Sequence, residues 1–255
     1  MKALEVSRVG KRFGGLQAVH DVSFAVEAGS IKAVIGPNGA GKTTLFNLIS
    51  GVAAPDAGEI RLLGRPVQGL PAHRVAALGL ARTFQHIRLF SGMTALETVM
   101  VGRHLRSRAG LWAGLLHLPS TWAEERTIRL KALELLDFVG IADLADRDAL
   151  SLSYGQQRAV ELARALASEP SLLLLDEPAA GLNMRETADA ARLISRIRAE
   201  RGVTVLIVEH DMGLVMGISD EVAVLSYGEL IADADPRTVQ QDPQVIRVYL
   251  GDEDA

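Results

Sequence analysis

The sequence predicts a mixed α/β fold in which a helical portion is set inside an alternating one. Three observations carry that expectation. The loop GPNGAGKT at 36–43 joins an apolar, strand-like run to a helix-like one. Strand and helix patterns alternate over residues 1–90 and again over 160–255. Between them, from about 91 to 159, apolar residues recur at three- and four-residue spacing, the period of amphipathic helices.

The elements follow in order. ALEVSRV and DVSFAVE alternate in the manner of half-buried strands, and SIKAVIG makes a third that runs into the glycine loop. KTTLFNLIS reads as a helix that Gly51 closes. GEIRLLG (58–64) is a short strand between glycines, Pro71 opens a helix over PAHRVAALG, and LARTFQ returns to strand character. TALETVMVGRH and WAEERTIRLKALELLDFVG are helices of the inserted part. LSYGQQ (152–157) opens another, with Ser153 as the cap and Gln156 three residues on completing a capping box. The four leucines of SLLLLDE imply a strand buried on both faces. A charged helix covers 185–200, then VTVLIVE, EVAVLSYG and ELIADA supply further strands. The acidic ending GDEDA is expected to fray.

Composition narrows the function. At 255 residues, 48% hydrophobic and 23% charged, the chain is long enough to bury a core without staples. The absence of cysteine excludes disulfides and thiolate metal sites. No apolar run is long enough to span a bilayer, and the N-terminus does not resemble a signal peptide, so a cytosolic location is expected. A formal charge of −4 and only 4% aromatic residues argue against a nucleic-acid partner.

The chemistry starts at the glycine loop, which fits G-x-x-x-x-G-K-[ST] in the strand-to-helix context that pattern requires. Gly36, Asn38, Gly39 and Gly41 let backbone N–H groups turn toward phosphate oxygens. Lys42 brings a point charge to the β- and γ-phosphates, the Thr43 hydroxyl can ligate Mg²⁺, and Thr44 can reach an inner phosphate. This is a P-loop. Asp176 emerges at the carboxyl end of the leucine strand, where open α/β sheets bind ligands, and can hold Mg²⁺. Glu177 beside it can orient or deprotonate an attacking water. Gln85 and His210 also follow strands: the amide can reach Mg²⁺ or the water, and the imidazole can donate to the γ-phosphate or brace the glutamate. Either could equally be a satisfied loop residue. Ser153 and Gly155 stand at a helix start that can receive an anion.

A P-loop, Gln85, LSYGQQ, LLLLDEP and His210, in that order, resemble the ATP-binding subunit of ABC transporters over essentially the whole chain. The resemblance implies a P-loop NTPase core of the ABC nucleotide-binding type, with an antiparallel β subdomain and an inserted helical subdomain. It implies that Phe13 stacks on adenine, where a buried strand-end phenylalanine is the bland alternative. Lys42, Thr43 and Thr44 match the phosphate and magnesium ligands, and Gln85 the glutamine that links nucleotide to membrane subunit. Asp176 and Glu177 match the Walker B aspartate and catalytic glutamate, and His210 the switch histidine. Ser153, Gly155 and Gln156 match the signature, while Tyr154 stands where the family pattern most often has glycine. AAGLN (179–183) falls on the D-loop with Asn183 in place of the usual aspartate.

ARTFQHIRLFSGMTALETVMVGRH, LDEPAAGLN, VEHDM and VIRVYLG are similar to the branched-chain amino acid uptake type, and to the longer of its two ATPase subunits. The stretch 103–122 is similar to an insertion of that type, or is a surface helical hairpin with Trp112 and Leu115 buried. The implied activity is ATP hydrolysis at a dimer interface, with ATP and Mg²⁺ as cofactors. The implied partners are a second ATP-binding subunit, identical or paralogous, transmembrane permease subunits and, indirectly, a substrate-binding protein. The implied location is the cytoplasmic face of the inner membrane, as a peripheral protein. The same motor could serve urea, amides or lipopolysaccharide export. A soluble ABC ATPase acting on DNA or ribosomes is the reading from another class, but the chain has no coiled-coil insertion, zinc cysteines or second cassette.

Overall fold

The structure is a computed structural model that describes residues 1–103 and 119–250. Residues 104–118, with Trp112 and Leu115, and the GDEDA tail lie outside the described residues. The chain forms two compact units, one of Met1–Arg82 with Ser171–Ala255 and one of Thr83–Pro170. Sequence patterning put the inserted part at about 91–159, inside the second of these.

The first unit holds two sheets. Strands β1 (Lys2–Phe13), β2 (Leu16–Glu27), β4 (Ala57–Leu62) and β5 (Arg65–Pro66) form an antiparallel sheet in the order β2-β1-β4-β5. The second sheet has six strands in the order β10-β9-β3-β8-β7-β6. They are β3 (Ile31–Ile35), β6 (Leu80–Arg82), β7 (Leu172–Asp176), β8 (Thr204–Val208), β9 (Glu221–Ser226) and β10 (Glu229–Ala234). Its neighbours pair in parallel except at the β9–β10 edge. Leu172–Leu175 and Val205–Val208 are buried throughout, as strands covered on both faces require. One apolar cluster runs from Val6, Val22 and Phe24 of the antiparallel sheet through Leu45 and Phe46 to Leu174 and Leu206. The two early strands are longer than their alternating cores suggested, because bulged pairing carries each past its periodic stretch.

The helices, in chain order, are α1 (Lys42–Ile49) and α2 (Ala72–Ala77) in the first unit, then α3 (Ala95–Gly102), α4 (Pro119–Phe138) and α5 (Tyr154–Ala167) in the second. The first unit resumes with α6 (Met184–Arg201), α7 (Met212–Ile218), α8 (Pro236–Gln241) and α9 (Pro243–Leu250). In the helical unit, Leu96, Val99, Ala132, Leu136, Val160 and Ala163 are buried. Helices α3 and α5 touch at Gly102, where a Cβ would lie 2.1 Å from the Arg164 carbonyl oxygen, so only glycine fits. The unit is not helical throughout: between α4 and α5 the chain makes only two short 3₁₀ turns, Ala142–Leu144 and Ala149–Ser151.

Two helix starts carry complete local caps, and the sequence marked the one at Ser153. Ser153 Oγ accepts from the Gln156 N–H at 3.4 Å, and the Gln156 side chain accepts from the Ser153 N–H at 3.0 Å. Asn183 caps α6 in the same reciprocal way with Glu186, and Gly202 ends that helix in the left-handed region. A neutral amide meets this need as well as a carboxylate does, which accounts structurally for asparagine at this place. Asn183→Ala should therefore cost about 1 kcal/mol in a urea melt, whereas Asn183→Asp should stay within about 0.5 kcal/mol of the parent.

Candidate functional site

The parallel register draws the first unit's polar residues to one sheet edge. Val34 of β3 lies opposite Val208 of β8, and Val208 lies opposite Asp176 of β7. The glycine loop begins two residues past Val34, His210 stands two past Val208, and Glu177 follows Asp176 directly. Residues far apart in sequence thus emerge side by side.

Two loop glycines are fixed by close approach. A Cβ on Gly36 would lie 2.1 Å from the Leu225 carbonyl oxygen, and one on Gly41 would lie 2.4 Å from that of Ala18. Both, like Gly39, also have positive φ. Gly41 gives α1 no side-chain cap, so the first N–H groups of that helix are left for the loop side. Asn38 and Gly39 are exposed at the tip of the loop. Buried Lys42 donates from Nζ to the Gly36 and Pro37 carbonyls at 2.6 and 2.9 Å. Burial lowers the Lys42 pKa from its ordinary value, and the Glu177 and Asp176 carboxylates oppose that shift. Thr43 is exposed and Thr44 half-buried on the first turn of α1. Tyr249 of α9 comes close to the same loop: burial pushes its phenol up to about 12, against the effect of the neighbouring Gly36 N–H.

Asp176 is buried at the end of β7, and its Oδ2 accepts from Arg82 Nη2 at 2.8 Å. Arg82 also donates to Asn47 Oδ1 at 2.8 Å and Ser50 Oγ at 2.9 Å, and its guanidinium lies 5.7 Å from the Phe46 ring centroid. Glu177 holds left-handed backbone (φ 48°) with its N–H donating to the Val208 carbonyl at 2.9 Å. Such a conformation in a non-glycine residue costs about 1–3 kcal/mol and persists only where surrounding structure imposes it.

Sequence reasoning missed Arg82 and Glu209. Glu209 is almost wholly buried; its Oε1 accepts from the Ala179 N–H at 2.8 Å and its Oε2 from the His210 N–H at 2.9 Å. A second N–H, that of Asp211, also reaches Oε2, at 3.3 Å. One carboxylate thereby ties the loop after Glu177 to the loop carrying His210. His210 itself is exposed, with Nδ1 3.7 Å from Glu209 Oε2. The available signal was a charge closing a fully apolar run, in VTVLIVE and likewise after LGLA in LGLAR. Buried charges at such places need partners, and the pattern alone does not say which.

Phe13 is 52% exposed at the end of β1, with Lys11 Nζ 5.5 Å from its ring centroid. It is a surface aromatic, not a core one. Gln85, Ser153, Gly155 and Gln156 belong to the helical unit, where Ser153 to Gln156 form the first turn of α5 and Gln85 lies on the segment after Thr83. Among the described residues, no helix is long and apolar enough to cross a membrane.

A glycine loop on a parallel sheet, with an aspartate and glutamate at the end of a strand one removed from it, defines a nucleotide-binding ATPase core. Residues 19–180 match the family model described as ABC transporter. The chain is 47% identical to the high-affinity branched-chain amino acid transport ATP-binding protein BraF of Pseudomonas aeruginosa, over 98% of both chains. It therefore belongs to the ABC transporter family, among its ATP-binding proteins. Residues 229–255 also match the model described as branched-chain amino acid ATP-binding cassette transporter. The ADP conformation of an ATP-binding cassette of an ABC transporter superposes with a TM-score of 0.85 at 31% identity, covering 98% of this chain and 99% of that one. A dimeric post-hydrolysis cassette bound to ADP and Pi superposes at 0.78 with 25% identity, covering 92% and 99%.

The buried ion pair makes a direct prediction. Arg82→Met leaves Asp176 buried without its partner, and should lower stability by about 3–5 kcal/mol in urea unfolding. Adding Asp176→Asn in the same chain should recover part of that loss.

Proposed function

We propose that the chain is the ATP-hydrolysing motor of an importer for branched-chain or related amino acids. It works as one of a head-to-tail pair of cassettes, bound to permease subunits at the cytoplasmic face of the inner membrane. The observation that carries the ATPase reading is the single sheet edge shared by Lys42, Asp176, Glu177 and His210. The cargo reading is supported by the relative in Pseudomonas aeruginosa and by the C-terminal family match. The paired arrangement is supported by the dimeric cassette.

ATP enters as its magnesium complex. Among the described residues, no group of three or more His, Asp or Glu side chains could hold a metal ion alone. That fits Mg²⁺, which keeps water and phosphate ligands and takes few from the protein. Thr43 and Asp176 would be hard-oxygen donors for it, the family resemblance adds the Gln85 amide oxygen, and the ion would neutralise phosphate charge. Lys42 exchanges the Gly36 and Pro37 carbonyls for β- and γ-phosphate oxygens, a charge-assisted contact in place of neutral ones. Backbone N–H groups of 36–43 and the uncapped start of α1 hold the remaining oxygens, and Phe13 stacks on the adenine. Glu177, fixed by its strained backbone, orients water in line with the γ-phosphorus and takes its proton as the bond to the β–γ bridging oxygen breaks. His210 donates to the γ-phosphate. Ser153 and Gly155 complete the site of the opposing cassette, so each chain finishes its partner's centre.

Glu177→Gln should lower kcat about 10²–10⁴-fold with ATP affinity little changed, and should trap a dimer on gel filtration with ATP. Near-normal hydrolysis would remove Glu177 from the role of base. Ser153→Arg should stop hydrolysis while the separated chain still binds nucleotide; loss of binding by the monomer would mean that the signature serves its own chain's site. Cells deleted for the gene should take up labelled leucine more slowly, and unchanged uptake of branched-chain amino acids would overturn the cargo reading.

A further inference from the structure

Tyr154 is the residue of the signature that nucleotide contact leaves without a task. It is the first residue of α5, directly after the capping Ser153, and 44% exposed. Its side chain runs along the helix to Arg158, one turn on. The phenolic oxygen lies 3.0 Å from Arg158 Nη2, and the guanidinium sits 5.4 Å from the ring centroid.

Arg158 is itself buried and faces away from solvent. Its Nη1 donates to the Phe84 carbonyl at 2.9 Å and its Nη2 to the Gln85 carbonyl at 2.6 Å. The two carbonyls thus take one fork, a geometry that depends on the orientation of the guanidinium plane. Further along the same face, Arg164 donates to the Arg88 carbonyl and lies 5.8 Å from the Phe90 ring centroid. Between the two arginines sits Glu161, almost wholly buried, its carboxyl held above the ordinary range by that burial while both arginines pull the other way. Glu161 lies between the two arginines but approaches Arg158 only at 3.4 Å, and at Nη1. The contact that addresses Nη2, the nitrogen on the Gln85 carbonyl, is the hydroxyl of Tyr154.

We propose that Tyr154 is a positioning residue that acts through Arg158 to hold the main chain at Phe84 and Gln85. The turn that presents Ser153 and the segment that presents Gln85 are thereby braced as one piece within the helical unit. The brace stands on the contacts alone; its consequence for turnover rests on the function proposed above. Glycine at this position would supply the backbone of the signature turn without the brace.

Hydrogen exchange of the nucleotide-free chain reads the brace without any turnover. Tyr154→Phe, which keeps the ring and removes the hydroxyl, should raise exchange in peptides covering 84–90 by about 3–10-fold while the body of α5 stays protected. Tyr154→Leu, which removes both contacts, should raise it further. In an Arg158→Met background, Tyr154→Phe should add nothing, since both act along one path. Where Arg158→Met does not fold, Arg158→Lys, which keeps the charge and loses the fork, replaces it. In ATPase assays Tyr154→Phe should lower kcat severalfold with KM unchanged. Unchanged exchange at 84–90 in Tyr154→Leu would overturn the proposal. So would an effect of Tyr154→Phe undiminished beside the Arg158 variant, or exchange raised evenly over α3 to α5, which is plain destabilisation. Loss of the exchange effect with Glu177→Gln behaving as expected would remove the brace and leave the motor; the converse would remove the motor and leave the brace.

Discussion

The pairing of β3, β8 and β7 in one parallel register is the constraint on which the rest depends. Val34, Val208 and Asp176 form a line across the sheet, so the loop, the histidine and the two carboxylates all leave from one edge. Side chains alternate faces along a strand, so a slip of one residue would turn Asp176 away from Arg82. Leu172–Leu175 and Val205–Val208 are apolar and buried on both faces, so those runs accept either facing and leave the choice to the polar residues at their ends. The core builds the strands, and the cost of leaving Asp176 buried without Arg82 favours this register over its neighbours.

Charges buried behind the edge then give the loops their shape. Arg82 holds Asp176, and Glu209 holds the N–H groups of Ala179, His210 and Asp211. In the helical unit Arg158, Glu161 and Arg164 do the same for the segment 84–88. Buried ion pairs of this kind add little net stability against an apolar alternative, but losing one member is severe. Their placement beside Asp176, His210 and Gln85 is consistent with geometry being what they preserve.

Local signals at helix starts carry two functions at once. Ser153 and Asn183 each complete a reciprocal capping box, sufficient on energetic grounds to keep those residues. The same capped turns lie at the signature and D-loop motifs of the family. A cap orders backbone N–H groups at a helix end, and ordered N–H groups are what an anion or an opposing surface meets.

Much was legible without coordinates. Periodicity and glycine placement determined the alternating core, the helical insertion, the helix-start position of Lys42 and the strand-end positions of Asp176 and Glu177, because those follow from spacing along the chain. The cap at Ser153 was read from the sequence, since a capping box spans four residues, whereas Asn183, read only as a D-loop position, was recognised as a cap in the structure. Arg82, Glu209 and Arg158 were not legible. Each is a single charge whose partner lies from 30 to 94 residues away, at Ala179, Phe84 or Asp176. A linear pattern can mark such a charge by its place at the close of an apolar run, as at Arg82 and Glu209, but it does not name the partner. Tyr154 shows the same division: the sequence marks it as unusual within its motif, and only the folded helix, by bringing Arg158 beneath its ring and two distant carbonyls beneath Arg158, gives it a physical role. Short-range order is written in neighbouring residues, while pairing between buried charges exists only after the chain has closed and water has been excluded around them.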